Sequence, residues 1–148
     1  MLQLLCHLFP KGTTVGFEIP DFIAQNSPET GGFNVVPIPV DESGISVQDL
    51  EQYQPQLAYT TPSHQFPLGM IMPVGRRLQL LDWAAATGAY IIEDDYDGEF
   101  RYAGQPIPSL QGLDRNDRVI YLGTFQIADS LPQDQLYGSP LSARQRRA

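Results

Sequence analysis

The chain has 148 residues, a formal net charge of -8 at pH 7 and a hydrophobic content of 42%. This length suffices for one domain with a hydrophobic core. The acidic balance argues against a nucleic-acid surface, which needs clustered lysine and arginine. We expect no membrane segment, since no stretch approaches roughly 20 apolar residues. One cysteine, Cys6, excludes an internal disulfide and, without a secretory signal pattern, favours a cytoplasmic location.

The first half of the chain is predicted to alternate helices with strands. Apolar, β-branched and aromatic runs mark the elements, and prolines in the second strand indicate a sheet edge or an early end of the strand. Ser46 followed by Asp49 is typical of a helix start. In order, the predicted elements are a helix at 2–9, strands at 13–18 and 33–40, a short helix at 47–51 and a strand at 57–61.

The second half predicts a longer helix and two buried strands. Pro73 and Gly88 bracket a helix over Val74–Thr87, and Leu78, Leu81 and Ala85 repeat at helical spacing to predict its buried face. The apolar runs at 89–92 and 119–122 predict central strands. Together these elements predict an α/β fold with a mostly parallel sheet. Residues 126–148 show no usable period, and no packed structure is predicted there.

An acidic run at 93–99 follows the strand that ends at Ile92, and ligands of α/β sheets collect at such carboxyl ends. A calcium loop is excluded, because its closing glutamate would fall on Gly104. A hydrolytic carboxylate pair stays open but lacks geometry, since adjacent acids on a strand point to opposite sides. The alternative is a solvated acidic loop. No metal site is predicted.

Two further loops follow predicted strands. The loop at 61–69 holds His64 between two prolines, and a lone histidine of this kind is more often a hydrogen-bonded loop residue than a catalyst. No Gly-x-Ser-x-Gly motif supports a serine nucleophile. After the last strand comes Gly123-Thr124-Phe125, with no nucleophile following.

Several motifs, taken together, closely resemble the aminotransferase-like domain of MocR-type regulators. These are GntR-family transcription factors that carry a fold-type-I pyridoxal phosphate domain behind a winged helix-turn-helix. The resemblance runs from about Leu2 to Phe125 and is specific from Tyr59 onward. Its motifs are Thr-Pro-Ser-His-Gln-Phe-Pro at 61–67, Arg-Arg-Leu at 76–78 with Trp-Ala-Ala at 83–85, Ile-Ile-Glu-Asp-Asp-Tyr-Asp at 91–97, Glu-Phe-Arg-Tyr at 99–102 and Val-Ile-Tyr-Leu-Gly-Thr-Phe at 119–125.

The resemblance implies a partial large domain at 1–125, with a three-layer, mostly parallel sheet, and pyridoxal 5'-phosphate as the cofactor of the parent family. It implies that Asp94 pairs with the protonated pyridine nitrogen and that Tyr96 hydrogen-bonds the phenolic oxygen of the ring. Phe22 falls near the aromatic residue that stacks on the ring, with ordinary core packing as the alternative. His64 borders the site, with loop scaffolding as the alternative.

The sequence departs from the family at two places. The Schiff-base lysine belongs where Ile127 stands, and Lys11 is the only lysine of the chain. The family's phosphate-binding loop would lie before Met1. We therefore predict no catalytic residue. The resemblance ends abruptly at Phe125, which suggests that 126–148 is a frameshifted, disordered tail. Sequencing the encoding DNA tests this hypothesis.

The sequence thus predicts a truncated, inactive remnant of a pyridoxal phosphate-binding transcriptional regulator. Its parent family forms homodimers, and the intact protein would respond to an amino compound. This chain alone is expected to contact neither nucleic acid nor membrane. The alternatives are a remnant of a class I/II aminotransferase and an acidic dimerisation module.

Overall fold

A five-stranded parallel sheet forms the centre of the fold. The computed structural model describes residues 8–19, 32–65, 68–95 and 107–123. The sheet strands are β1 (Thr14–Glu18), β2 (Asn34–Ile38), β5 (Leu57–Thr60), β6 (Tyr90–Asp95) and β7 (Val119–Gly123). A small antiparallel pair consists of β3 (Val40–Asp41) and β4 (Gly44–Ile45). The helices are α1 (Val47–Tyr53), α2 (Val74–Thr87) and α3 (Leu110–Leu113). The predicted parallel α/β architecture is confirmed.

Local signals fix the ends of the two longer helices. The Ser46 hydroxyl accepts a hydrogen bond from the Asp49 backbone N–H at 3.3 Å and donates one to the Asp49 carboxylate, which satisfies an N–H of the first turn of α1. Helix α2 lies between Pro73 and Gly88 as predicted, and Gly88 ends it with a φ of 76°. None of the helices in the described ranges is long and apolar enough to cross a membrane.

The order of the sheet strands is β2-β1-β5-β6-β7, and all neighbours are parallel. The chain moves from β1 to β2 on one side, then returns across β1 to place β5, β6 and β7 on the other. At such a reversal open α/β sheets form a ligand-binding crevice, outside the carboxyl ends of the strands, which here are β1 and β5. Among the described strands β2 lies at an edge, as its Pro37 predicts.

The two faces of the sheet differ in what covers them. The helix-covered face packs against residues of all three helices, among them Leu50, Leu80 and Leu110. Its sheet residues include Ala58 and Ile91. Side chains one position along each strand point to the second face. That face carries a smaller apolar cluster of Val15, Phe33, Leu57 and Ile92, with Phe9, Tyr59 and Leu122 packed against it.

The predicted buried face of α2 is partly wrong. Leu78 is 47% exposed and Ala85 is exposed, whereas only Leu81 of the predicted trio is buried. A neighbouring row of residues on α2 faces the sheet instead. Arg77 belongs to this row, because its guanidinium binds backbone carbonyls inside the protein and fills a position that an apolar residue would otherwise occupy. The buried residues of α2 are Arg77, Leu80, Leu81, Trp83 and Ala84.

Two other predictions concern segments that lie wholly or partly outside the described residues. Residues 2–7 of the predicted first helix lie outside them, and Leu8 and Phe9 form a turn and a bend rather than its last turn. The tail at 126–148 also lies outside them. Strand β6, expected to stop at Ile92, continues through Asp95 because its acidic side chains find partners in the fold.

Candidate functional site

Glu93, the first acid of β6, lies on the helix-covered face and is fully buried. Its Oε1 accepts a hydrogen bond from the Leu110 backbone N–H, and its Oε2 accepts one from that of Gln111, both at 2.9 Å. The Nη1 atom of Arg77 lies 3.7 Å from Oε1. Both oxygens of this carboxylate are therefore used to hold α3 and α2 against the sheet.

Arg77, the partner of Glu93, is 1% exposed. It donates to three backbone carbonyls: Nε to Met72 at 3.0 Å, Nη2 to Pro62 at 2.9 Å and Nη1 to Pro108 at 3.1 Å. Burial lowers the pKa of Arg77, and the negative charge of Glu93 opposes this change. A buried charge needs such partners, so this pair is structural.

Asp94 lies on the second face, because successive residues of a strand point to opposite sides. It is 8% exposed. Its Oδ2 accepts a hydrogen bond from the Tyr59 hydroxyl, whereas its Oδ1 is buried and has no partner among the described residues. The Tyr59 ring stacks on Phe17, with ring centroids 4.5 Å apart and planes 7° from parallel. Phe17, Tyr59 and Asp94 therefore form a cluster beside the crevice, which we call the Asp94 site.

The phenol of the Asp94 site remains protonated. Burial raises the pKa of Tyr59 far above its ordinary value, and the hydrogen bond to Asp94 and its negative charge raise it further. A neutral phenol can donate a hydrogen bond to a carboxylate, whereas a phenolate could not. Tyr59 therefore acts as a hydrogen-bond donor to Asp94 throughout the physiological pH range.

Glu18 joins the ends of β1 and β5 on the helix-covered side of the same crevice. Its Oε2 accepts hydrogen bonds from the Thr60 hydroxyl at 2.6 Å and from the Thr61 backbone N–H at 2.8 Å. Its Oε1 is buried without a hydrogen-bond partner in the described part of the chain. Burial raises the pKa of Glu18, although the hydrogen bonds from Thr60 and Thr61 oppose the change. Glu18 thus fixes the crevice walls relative to each other.

Asp95 returns to the helix-covered side of β6. Its Oδ2 accepts a hydrogen bond from the Tyr121 hydroxyl at 2.7 Å, and this bond, with burial, raises the pKa of Tyr121 to about 12. For the three acids at 93–95 the solvated-loop alternative is wrong, because they belong to a strand and are buried or half-buried. The other acids of the run lie outside the described residues. Within the described ranges no three histidine, cysteine or acidic side chains are grouped to hold a metal ion.

His64 lies in a closed loop after β5. The Gln65 N–H donates to the Met70 carbonyl at 2.8 Å, and the Gly69 N–H donates to the Gln65 carbonyl at 2.6 Å. A side chain on Gly69 would come within 3.3 Å of His64 Nε2. The histidine therefore packs against the loop beside the crevice. Tyr96 and Phe22, the other expected ring contacts, lie outside the described residues.

Lys11 lies at the opposite end of the sheet from Asp94. It precedes β1 and packs beside Gly32, where an added Cβ would lie 3.6 Å from the Lys11 Cγ. Because β1 pairs in parallel with β5, and β5 with β6, the carboxyl ends of these strands lie at the same end of the sheet. Lys11 precedes β1 and therefore lies at the opposite, amino end. The five residues of β1, which separate these two ends, span about 16 Å. The Lys11 amine therefore does not reach the Asp94 site.

Comparisons with known proteins give two groups of relatives. The chain is 56% identical over 126 residues to the uncharacterized HTH-type transcriptional regulator YdeL of Bacillus subtilis, covering 84% of this chain and 27% of that protein. It is 45% identical over 119 residues to the probable rhizopine catabolism regulatory protein MocR of Rhizobium meliloti, covering 80% and 24%. This chain is a homologue of MocR-type regulators. It spans about a quarter of their length. No protein-family model matches it.

The fold of this MocR homologue is also that of aminotransferases. The kynurenine aminotransferase of Pyrococcus horikoshii, solved in complex with PMP, matches with a TM-score of 0.72 and 34% identity, over 84% of this chain and 34% of that one. The expected partial large domain of a fold-type-I aminotransferase is confirmed. Pyridoxal phosphate is thus the cofactor of the parent family.

The described residues fit one end of this cofactor and not the other. Enzymes that use pyridoxal phosphate combine a lysine Schiff base with an acidic or basic partner for the pyridine nitrogen. The unpartnered, buried Oδ1 of Asp94 is a suitable acceptor for a ring N–H. Lys11, the only lysine in the sequence, is too far away for the covalent link. The fit is therefore to the ring alone.

The sequence predicts no role in the site for Phe17, Tyr59 or Arg77. It assigns Tyr59 only to a strand, yet the register opposite Ile92 places this tyrosine on the same face as Asp94. The signal that could have found it is a tyrosine near the end of a strand, one residue before polar residues. The missing step is the pairing of β5 with β6, which brings together Tyr59 and Asp94, 35 positions apart in the chain.

Proposed function

We propose that the chain holds the pyridine-ring end of the pyridoxal phosphate site of a MocR-type regulator and binds the ring without a covalent link. The unpartnered Oδ1 of Asp94, on the second face beside the crevice, carries this proposal. The Oε1 of Glu18 and the Oδ1 of Asp95 are also buried without a partner among the described residues, but both lie on the helix-covered side. A buried carboxylate oxygen without a partner is costly, and an N–H donor on a ligand removes that cost. The position beside the strand-order reversal between β1 and β5 supports the same conclusion.

Each residue of the proposed site has a separate role. When bound, the cofactor supplies an electron sink that depends on a protonated ring nitrogen. Asp94 keeps a proton on that nitrogen, because a nearby carboxylate favours the charged form. Tyr96 contacts the phenolic oxygen, Phe22 stacks on the ring and His64 borders it. The roles of Tyr96, Phe22 and His64 rest on the resemblance.

The proposal is of a binding role and not of catalysis. It is supported by the 56% identity to a transcriptional regulator, against 34% to the aminotransferase of solved structure. Lys11 at the far end of the sheet argues in the same direction, since transamination needs a lysine at the ring. A remnant of an aminotransferase would use the same ring contacts and is the weaker alternative.

The proposal extends to the setting of the site. We infer a homodimer and an amino-compound effector for the whole regulator, and no nucleic-acid contact by this acidic chain itself. The transcriptional regulators among the relatives support a cytoplasmic location.

A ligand that cannot form a Schiff base tests ring binding. Pyridoxine 5'-phosphate carries an alcohol in place of the aldehyde, so Lys11 cannot condense with it. Calorimetry at neutral pH should show that Asp94→Asn weakens its binding about tenfold or more, because a charge-assisted hydrogen bond is lost. Asp95→Asn, an equal charge change at the neighbouring position on the opposite face, should bind like the parent chain. Equal affinity of Asp94→Asn and the parent chain would refute the proposal.

The aldehyde form tests the absence of a covalent link at the site. Pyridoxal phosphate added to the chain should give a borohydride-reducible adduct on a side chain only at Lys11. Lys11→Arg should remove this adduct without changing the affinity for pyridoxine 5'-phosphate. If Lys11→Arg weakened binding of the alcohol, the amine would lie at the ring site and the noncovalent assignment would fail.

A further inference from the structure

We propose that Tyr59 is a positioning residue that leaves Asp94 a single free oxygen and so selects ligands presenting one N–H donor. This inference rests on the proposed ring-binding function and adds a rule of specificity to it. The observation behind it is that the two oxygens of the Asp94 carboxylate differ. Oδ2 accepts a hydrogen bond from the Tyr59 hydroxyl, whereas Oδ1 is buried and has no partner among the described residues.

The position of the phenol is fixed by its surroundings. Its ring stacks on Phe17 at 4.5 Å and packs against the apolar cluster of the second face. Its strand pairs with β6 in a register that puts Tyr59 opposite Ile92. Offset aromatic pairs and parallel strand pairing both limit movement of the hydroxyl. The donor therefore stays at Oδ2 when a ligand arrives.

A carboxylate with one occupied oxygen discriminates between cations. Guanidinium and 2-aminopyridinium ions present two parallel N–H groups and gain most from a carboxylate when both oxygens are free. A simple pyridinium ring presents one N–H and needs only Oδ1. Tyr59 thus disfavours two-donor ligands and retains the one-donor heterocycle.

The first test concerns the contact itself and needs no ligand. Ultraviolet absorption at neutral pH, with the spectrum of Tyr59→Phe subtracted to assign the signal, should show the Tyr59 band at shorter wavelength in Asp94→Asn than in the parent chain. The reason is that the hydrogen bond from Tyr59 to the Asp94 carboxylate is charge-assisted and stronger than one to an amide, and stronger donation moves phenol absorption to longer wavelength. An unchanged band would overturn the positioning role and leave ring binding by Asp94 intact.

The second test measures specificity. Pyridine and 2-aminopyridine are titrated into the labelled chain while the NMR shift of the Asp94 backbone amide is followed. The affinity ratio of 2-aminopyridine to pyridine should rise about threefold or more in Tyr59→Phe, because a second oxygen becomes available. The difference in basicity of the ligands cancels when ratios are compared between variants.

Tyr121→Phe is the matched control, since its hydroxyl donates to Asp95 Oδ2 while Asp95 Oδ1 is likewise buried without a partner among the described residues, on the opposite face of the same strand. The affinity ratio of 2-aminopyridine to pyridine in Tyr121→Phe should equal that of the parent chain. An unchanged ratio in Tyr59→Phe overturns the specificity rule. If neither ligand shifts the Asp94 amide in any variant, the ring-binding function fails and the specificity rule fails with it, whereas the tyrosine absorption band still decides the contact between Tyr59 and Asp94.

Discussion

Glu93 and Asp94 are neighbours in one strand, yet their side chains lie on opposite faces of the sheet and have different hydrogen-bond partners. Glu93, beneath the helices, has each oxygen bonded to a backbone N–H and faces the guanidinium of Arg77. Asp94, on the second face, has one oxygen bonded to Tyr59 and one without a partner in the described residues. A fully bonded carboxylate holds a fold together, whereas a partly bonded one can bind a ligand. This contrast separates Glu93 from Asp94. Asp95 shares the partly bonded arrangement, since its Oδ2 accepts the Tyr121 hydroxyl and its buried Oδ1 has no partner in the described residues, but it lies on the helix-covered face.

The largest expected effect comes from removing the structural acid. Glu93→Ala leaves Arg77 buried without its charged partner and leaves the Leu110 and Gln111 N–H groups at the start of α3 unbonded. Breaking a buried pair in this way costs about 3–5 kcal/mol of unfolding free energy. Urea denaturation measures this loss. If the alanine variant does not fold, the yield of soluble Glu93→Gln protein is compared with that of the parent chain instead. A loss below about 1 kcal/mol would contradict the structural role.

Close packing on the helix-covered face gives the next effect. A methyl group on Gly16 would lie 3.0 Å from Pro55 Cγ and 3.1 Å from both Ile38 and Leu50. Gly16→Ala should therefore destabilise the chain by about 1–3 kcal/mol. Gly75→Ala in α2 meets nothing within 4 Å, so it should be neutral or stabilise slightly. Equal thermal midpoints for the two variants would show that this face has room for an extra methyl group.

A pH effect is expected from Glu18. Because burial raises its pKa, the folded chain binds a proton more tightly than the unfolded chain does. The unfolding free energy should fall as the pH rises from the ordinary glutamate pKa through the raised value in the folded state. Glu18→Gln should flatten this part of the profile, as measured by denaturation at a series of pH values. A parent chain whose stability rises across that window would contradict the sign.

The smallest expected change is in the stability of Asp94→Asn. Asparagine retains an oxygen that accepts the Tyr59 hydroxyl, and no other partner among the described residues is lost. The unfolding free energy should change by less than about 1 kcal/mol, although ring binding falls. A loss as large as that of Glu93→Ala would remove the distinction between the two acids.

Local signals account for the parts of the fold that sequence predicts well. Pro73 and Gly88 act on their own backbone, and Ser46 bonds within its own turn, so the ends of α1 and α2 follow from neighbouring residues. Pro37 lacks an N–H and belongs at an edge wherever the sheet forms. The parallel arrangement follows from strands that alternate with helices.

The division of roles in the acidic run needs information that no local pattern contains. Alternation places Glu93 and Asp94 on opposite faces, but only the packing of α2 decides which face the helices cover. The exposure of Leu78 has the same origin, since Arg77 takes the inward position. Family resemblance leads to Asp94, whereas Tyr59 escapes sequence reasoning because its contact depends on strand register.

The remote position of Lys11 has a practical consequence. Amine-reactive dyes can modify the chain at one side chain only, because the sequence contains a single lysine. That side chain stands at the amino end of β1, on the far edge of the sheet from Asp94. A fluorophore attached there would leave the crevice unobstructed, and energy transfer from Trp83 would follow the integrity of the sheet while ligands are added at the other end.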